Sequence, residues 1–411
     1  METACFMLVD SAQRAASDAL PALVAATCAT FDGIEAQVYL ADLQQRTLAP
    51  LMRPTGGPLS ESPSALSIES TMAGRAFQQG QPLTQAAPAH DGVECARMWL
   101  PLSTGAERLG VLGLTLCPPA GNDIERDLLS RYAAIVAGLV THFALFGDSI
   151  IRTRRTSVMT LASEIQWSLL PPLTFDGPTV SVAGGLEPAY EVAGDSLDYA
   201  VETAVTRFAV LDGMGHGIVS AQLISLAIAA YRNARRSHQT LTDTASHIES
   251  AVATAFHAES FATGVLCELD NTTGRLTWIS AGHLEPFLFR DGRFVRPLTV
   301  DPLLPFGLNH ELGHTAPATV GTEQLEPGDV VFLYTDGVTE ARSPDGDFFG
   351  KDRLIDHVTR SAAAGLPPPE TMRRLVHALL EHQSGDLADD ATMLQVTWHG
   401  RDLSPPPALT T

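Results

Sequence analysis

Apolar and polar positions change rhythm along this chain, and each rhythm predicts a different element. Residues 11–30 carry helical apolar spacing, and "EAQVYLAD" (35–42) alternates like a strand. "SIESTMAGRAFQQGQPLT" predicts a short helix closed by Gly80, with Pro82 just beyond it. "RMWLPLSTGAERLGVLGLTL" (97–116) predicts two strands around a polar turn at Gly105. Together these predict a small α/β module around an antiparallel sheet. Between 122 and 170, apolar residues fall mostly three or four apart, at 128, 132, 135, 139, 143, 146, 150, 158, 161, 165 and 169. That spacing predicts a long helix with one apolar seam, interrupted by the basic "IRTRRTS" (151–157) and stopped by Pro171 and Pro172. Such a seam packs on its own domain or pairs with a second copy.

From 179 onward the pattern switches to strands, turns and a few helices. "TRFAVLD" (206–212) predicts a strand, and "IVSAQLISLAIAAYRNA" (218–234) an apolar helix. Two hairpins follow, turning at Asn271–Gly274 and at Asp291–Gly292. "PGDVVFLYTDGVTEA" (327–341) is a buried strand running into Asp-Gly, and "DDATMLQVTW" (389–398) a closing strand. The tail, residues 399–411, is rich in proline and expected to be disordered.

Length and composition narrow the class. At 411 residues the chain is too long for one core. A net charge of −21 leaves no basic footprint for nucleic acid or an anionic membrane. The cysteines (5, 28, 95, 117, 267) are odd in number and lack CxxC spacing, which argues against a disulfide framework and a zinc knuckle. The N-terminus has no basic region followed by an apolar stretch. The longest apolar run, 132–146, is interrupted by Thr141 and His142 and falls short of the ~20 residues a bilayer requires. The expected location is the cytoplasm.

The chemistry lies in four short motifs: "EVAGDSLDY" with Asp195, "VLDGMGHG" with Asp212, "LYTDGVTEA" with Asp336, and "LADDATMLQV" with Asp389 and Asp390. Each places an aspartate at a strand end or turn. A single Asp-Gly is most often just a turn. A carboxylate at the end of a buried strand, however, is costly unless paired or bound to a cation. Several converging carboxylates repel one another unless cations sit between them. Oxygen donors without Cys or His favour Mg²⁺ or Mn²⁺ over Zn²⁺.

Taken in order, AGDSLDY, LDGMGHG, SAGH, YTDGVTEA and DDAT resemble the PPM family of metal-dependent serine/threonine phosphatases, specifically its SpoIIE-type branch. "ASEIQWSLLPP" (162–172) is similar to that branch's lead-in. The resemblance covers about 160–398. It implies an αββα sandwich and two Mn²⁺ or Mg²⁺ ions held by Asp195, Asp212, Asp336 and Asp389. Asp212 would reach both ions, and Gly213 would contribute its backbone carbonyl. It implies hydrolysis of phosphoserine or phosphothreonine on a regulatory protein, a STAS-type anti-sigma-factor antagonist. Departures are small: Ala193 stands where a glycine is usual, and Gly213 where a hydrophobic residue is commoner. His216 and His283 are expected to be structural. Trp167, Leu169 and Leu170 are expected to pack the connector onto the phosphatase.

The N-terminal stretches "AQVYLADLQQRTLAPL", "TMAGRAFQQGQPLT" and "PLSTGAERLGVLGLTL" resemble a GAF domain, which implies a small-molecule ligand and dimerisation. The expected organisation is a mixed α+β chain. It has a GAF-like sensor at 1–145, a helical connector at 146–172, a SpoIIE-type PPM domain at 173–398 and the tail. The expected assembly is a homodimer without nucleic acid or membrane partners. The alternative is a pseudophosphatase that binds a phosphoprotein or holds a dimer. A nucleotide cyclase would need a phosphate loop of the GxxxxGK[ST] kind, which this chain lacks.

Overall fold

The computed structural model describes residues 2–31, 33–52, 63–105, 107–120, 123–187, 190, 194–257, 259–309, 312–313, 317–384 and 389–400. Ala193 and residues 401–411 of the tail lie outside this set. The chain divides into two compact units, Met1–Val158 and Met159–Thr411.

The first unit contains α1 (Glu2–Ala12), α2 (Leu20–Cys28), β1 (Gly33–Ala41), β2 (Thr47–Pro50), β3 (Leu66–Ser67), α3 (Met72–Gln79), β4 (Leu83–His90), β5 (Val93–Thr104), β6 (Glu107–Leu116), α4 (Asp123–Ala144) and α5 (Asp148–Arg154). Its strands form one antiparallel sheet in the order β3-β2-β1-β6-β5-β4. One face packs on α1, α2 and α4 through Val38, Leu100, Leu112, Tyr132 and Phe143. The other packs on α3 through Tyr39, Phe77 and Trp99. Gly80 closes α3 as predicted, in the left-handed region at φ 64°.

Two expectations for this unit change. The long helix predicted over 122–170 is three helices: α4, α5 and α6 (Leu161–Leu169). α4 and α5 meet at 105°. The seam of α4 is consumed by its own sheet, because Leu129, Tyr132, Val136, Val140 and Phe143 are all buried there. α5 is held to the same sheet by Arg154, which bonds Glu107 at 2.7 Å and the Ala41 carbonyl at 3.1 Å. The segment expected to be a separate connector is therefore divided between the two units. Second, Cys95 and Cys117 form a disulfide (Cα–Cα 4.5 Å). They are 22 positions apart in sequence, but β5 and β6 pair Ala96 with Leu116, which brings the flanking cysteines opposite each other.

Among the described residues no single helix is long and apolar enough to cross a membrane. The bent pair of α4 and α5 passes such a test by length and composition, but the α4 seam is buried protein core.

The second unit begins with α6 and continues through β7 (Thr174–Asp176), β8 (Val180–Glu187), β9 (Asp195–Val201), β10 (Val205–Gly213), α7 (Ile218–Arg236), α8 (Leu241–Phe256), β11 (Ala262–Asp270), β12 (Arg275–Ala281), β13 (Phe287–Arg290), β14 (Arg293–Pro297), β15 (Gly321–Gln324), β16 (Val330–Tyr334), α9 (Asp336–Thr339), α10 (Gly350–Ala363), α11 (Pro368–His382) and β17 (Ala391–Trp398). One antiparallel sheet runs β15-β12-β11-β10-β9; the other runs β14-β13-β16-β17-β8-β7. Their inner faces share a core that includes Val182, Leu197, Phe208, Val265, Trp278, Leu333 and Val396. α7 and α8 cover the outer face of the first sheet through Leu223, Ile228 and Ile248. α10 and α11 cover the second through Leu354, Leu375 and Leu379. This is the four-layer αββα sandwich that was expected. Both predicted hairpins are present, as β11–β12 and β13–β14.

Candidate metal centre

The glycine-rich stretch after β10 turns the chain sharply into α7. Gly215 and Gly217 take φ of 81° and 80°, where a Cβ would be strained. The turn leaves Asp212 at the end of β10, directly opposite Asp195 at the start of β9. From the facing sheet, Asp336 follows β16 at once, while Asp389 and Asp390 immediately precede β17. Pairing of β16 with β17 brings those two ends together. Four separate strand ends thus place carboxylates at one end of the sandwich.

The carboxylates act on one another. Asp195 is fully buried, and burial, then Asp212 and Asp390, hold its carboxyl well above the usual range. Asp212 is pushed up to about 7 by burial first, then by Asp336 and Asp389. Asp336 is raised by burial, then by Asp389 and Glu340. Asp390 is raised to about 6 by burial, against the pull of backbone N–H donors from Asp195 and Gly194. The strongest charges on Asp212 and Asp336 are other carboxylates, an arrangement that calls for cations. Among the described residues, however, no three His, Cys, Asp or Glu side chains close on one point tightly enough to hold an ion alone. The two observations agree if the ions keep much of their water. Mg²⁺ typically binds through only one or two carboxylates and retains several waters. The donor set therefore fits hydrated hard cations.

The adjacent aspartates have different surroundings. Asp390 is buried, and its Oδ2 accepts from the backbone N–H of Gly194 and of Asp195, the latter at 3.1 Å. It ties the start of β17 to the start of β9. Asp389 is exposed and lines an open cavity with Asp336. Its Oδ1 also accepts from the Asp390 backbone N–H at 2.9 Å.

Several contributors are not marked by the motifs. Thr335, fully buried, donates from Oγ1 to Asp195 Oδ2 at 2.6 Å and accepts from the Thr392 N–H at 3.0 Å. Gln166 on α6 donates from Nε2 to the Asp195 carbonyl at 2.7 Å. Arg232 on α7 bonds the buried Asp198 at 2.7 Å and the Leu169 carbonyl at the end of α6. A buried polar residue beside a motif aspartate, such as Thr335, was the only signal the sequence offered for these. Leu170 packs against the sandwich core, as expected for the lead-in.

The two histidines separate. His283 is structural: its Nε2 contacts the Tyr334 carbonyl at 3.2 Å, so that nitrogen carries the proton. Nδ1 then accepts from Thr263 Oγ1 at 2.7 Å, and burial lowers the ring to about 4, keeping it neutral. His216, expected to pack the loop, is instead exposed. The Gly213 carbonyl accepts from Ser220 Oγ at 3.0 Å, and a Cβ at Gly213 would come within 2.9 Å of that hydroxyl. Close packing accounts for the glycine.

Gly337 has a sharper constraint. A Cβ there would lie 1.9 Å from the Asp390 carbonyl oxygen. Gly337→Ala is expected to push Asp336 away from Asp389, destabilise the unit by about 1–3 kcal/mol and sharply reduce turnover. A thermal melt and an activity assay on the same sample check both.

Residues 203–399 match the family described as Stage II sporulation protein E (SpoIIE). Over this stretch, just under half of the chain, the sequence is that of a SpoIIE-type PPM domain. The SpoIIE match spans Asp212, Asp336 and Asp389, while Asp195 lies just ahead of it. The chain is 32% identical to Protein IcfG of Synechocystis sp. over 146 residues, which cover 33% of this chain and 20% of that protein. It is 24% identical to phosphoserine phosphatase RsbU of Bacillus subtilis over 242 residues, covering 58% of this chain and 69% of the relative. The SiaA-PP2C domain of Pseudomonas aeruginosa superposes with a TM-score of 0.48 at 23% identity, covering 58% of this chain and 94% of that domain. The chain thus spans only a fifth of IcfG and about two thirds of RsbU.

Proposed function

We propose that this chain is a divalent-cation-dependent phosphatase acting on phosphoserine or phosphothreonine of a regulatory protein. The observation that supports this most is the convergence of Asp195, Asp212, Asp336 and Asp389 at one end of the sandwich, with the first three raised by burial and then by neighbouring carboxylates. In this reading Asp195, Asp212, the Gly213 carbonyl, Asp336 and Asp389 hold two Mn²⁺ or Mg²⁺ ions. When bound, the ions supply an activated water near neutral pH and offset phosphoryl charge. Thr335 fixes Asp195 by one carboxylate oxygen. Asp390 fixes the backbone that carries Asp195. Cysteine chemistry is disfavoured: Cys28 and Cys267 are buried, and burial pushes their thiols up, the former to about 12.

The similarity to RsbU supports a substrate in sigma-factor control; in our reading that substrate is a STAS-type anti-sigma-factor antagonist, and the first unit is a GAF-like sensor that binds a small molecule and dimerises. The test compares Asp389→Asn with Asp390→Asn on a phosphoserine peptide with Mn²⁺ or EDTA. Asp389→Asn is expected to lose on the order of 10²-fold or more in turnover, as befits loss of an ion ligand. Asp390→Asn keeps an oxygen for the two N–H donors and is expected to stay within tenfold. Wild-type protein without Mn²⁺-dependent turnover would instead favour a pseudophosphatase.

A further inference from the structure

The loop that leads from Asp212 into α7 carries apolar side chains out into water. Met214, Ile218 and Val219 are 41%, 40% and 54% exposed and fall within six positions. Single exposed apolar residues are ordinary, but a group of them beside a polar site marks a contact surface. Their backbone is pinned on both sides. Met214 N–H bonds the Phe261 carbonyl at 3.0 Å, and Gly213 N–H bonds the Gly194 carbonyl at 2.8 Å. Ser220 is buried on the Gly213 carbonyl, and Ala221 packs on Ala162 of α6. The three side chains therefore stand on a fixed frame. The start of α7 is also unusual in composition. α6, α8, α10 and α11 each have an acidic residue in the first turn, where it complements the helix dipole, and α7 has none. Another carboxylate beside Asp212 would add repulsion, which accounts for the missing acid. Serine or threonine would avoid that repulsion equally well. Two β-branched apolar side chains left in water there call for a partner.

We propose that Met214, Ile218 and Val219 form a docking surface for apolar residues that flank the phosphorylated side chain of a protein substrate. This deepens the phosphatase reading above and rests on it. Position argues for this occupant. Met214 lies two residues past Asp212, and Ile218 opens α7. A phosphoryl group seated at the aspartates therefore brings its neighbours in the substrate chain across this surface. Charge argues the same way. The chain carries −21, and the cavity beside Asp336 and Asp389 adds Glu340. Such surroundings repel an acidic flanking segment. An apolar flank escapes that repulsion and gains from the area it removes from water. The aspartates read only the phosphoryl group; the apolar surface reads what lies next to it.

The experiment gives the full chain, with Mn²⁺, two phosphoserine peptides of one length. One has leucine and the other asparagine on each side of the phosphoserine. The wild type is expected to favour the leucine peptide by roughly tenfold in kcat/KM, and Val219→Asn or Ile218→Asn to remove most of that preference. Turnover of p-nitrophenyl phosphate, which has no flanking residues, should change far less than turnover of the leucine peptide. Equal kcat/KM for the two peptides in the wild type overturns the proposal, as does an undiminished preference in the variants. If the wild type hydrolyses neither peptide nor p-nitrophenyl phosphate, the phosphatase reading fails. Fluorescence anisotropy of the labelled peptides then decides the docking surface by itself. Tighter binding of the leucine peptide that Val219→Asn abolishes supports it, and equal binding overturns it. Sedimentation of the same samples tests the rival occupant, a second copy. A dimer that Val219→Asn dissociates, with the peptide preference intact, assigns the surface to self-association and overturns the proposal. Should Val219→Asn lower the melt, Val219→Ala carries the comparison, and a wild-type preference in it counts against the surface.

Discussion

Asp212→Asn is expected to abolish Mn²⁺-dependent turnover while leaving the metal-free protein at least as stable as wild type. Both halves follow from where Asp212 stands. It lies opposite Asp195 in register, and Asp336 and Asp389 act on it from the facing sheet. Both expected ligands of the facing sheet, Asp336 and Asp389, act on it, so it is well placed to serve two ions. Asparagine keeps the shape and removes the charge. Activity on p-nitrophenyl phosphate should fall by at least ~10²-fold, and the rise in melting temperature on adding Mn²⁺ should largely vanish. Without metal, the wild type suffers repulsion between partly buried carboxylates, which the variant lacks. An amide can also donate to Asp195. A variant within tenfold of wild-type activity would remove Asp212 from the centre. A variant that melts several degrees lower without metal would show that repulsion is not what strains the site.

How far the sequence reveals this differs between the two units. In the second, an apolar strand that ends abruptly on an aspartate is a local signal, so Asp212 and Asp336 are visible in "VLDG" and "YTDG". Their convergence depends on the pairing of β9 with β10 and of β16 with β17, which comes from the order of motifs and not from any single one. Which of Asp389 and Asp390 faces the cavity depends on a one-residue change of side at the start of β17, and neighbouring identical residues carry no local mark of it. Thr335, Gln166 and Arg232 act through buried hydrogen bonds across 140, 29 and 34 positions respectively, so no short motif contains both partners. In the first unit a helical seam was expected at 128, 132, 135, 139, 143 and 146; the buried face of α4 instead runs through Leu129, Tyr132, Val136, Val140 and Phe143, and Phe146 is exposed. Its partner was left open, because spacing alone does not distinguish packing on one's own sheet from packing on another copy. The 105° bend, not the periodicity, decides where α4 ends. The Cys95–Cys117 pair was missed because antiparallel register, not sequence spacing, sets which cysteines meet.

Titration of the metal-free protein should show the strain directly. The folded-state carboxyl of Asp212 sits near 7 and that of Asp390 near 6, both raised chiefly by burial. Unfolded aspartates titrate near ~3.9. Between those limits the folded state holds more protons than the unfolded state, so stability falls as pH rises. The contribution of these groups is full below about pH 3.9 and is lost as pH climbs through 6 to 7. The melting temperature of EDTA-treated protein should therefore drop by at least ~3 °C from pH 5.5 to pH 8, relative to Asp212→Asn under the same conditions. The variant serves as the reference because every other titrating group is shared. Cations compete with those protons, so the stabilisation by Mn²⁺ should grow over the same interval. The difference between wild type and variant should then reverse sign, from a deficit without metal to a surplus with it. Parallel pH curves for the two proteins in EDTA would mean that Asp212 does not carry the repulsion. A Mn²⁺ effect that is flat with pH would mean that the ions bind somewhere other than these carboxylates.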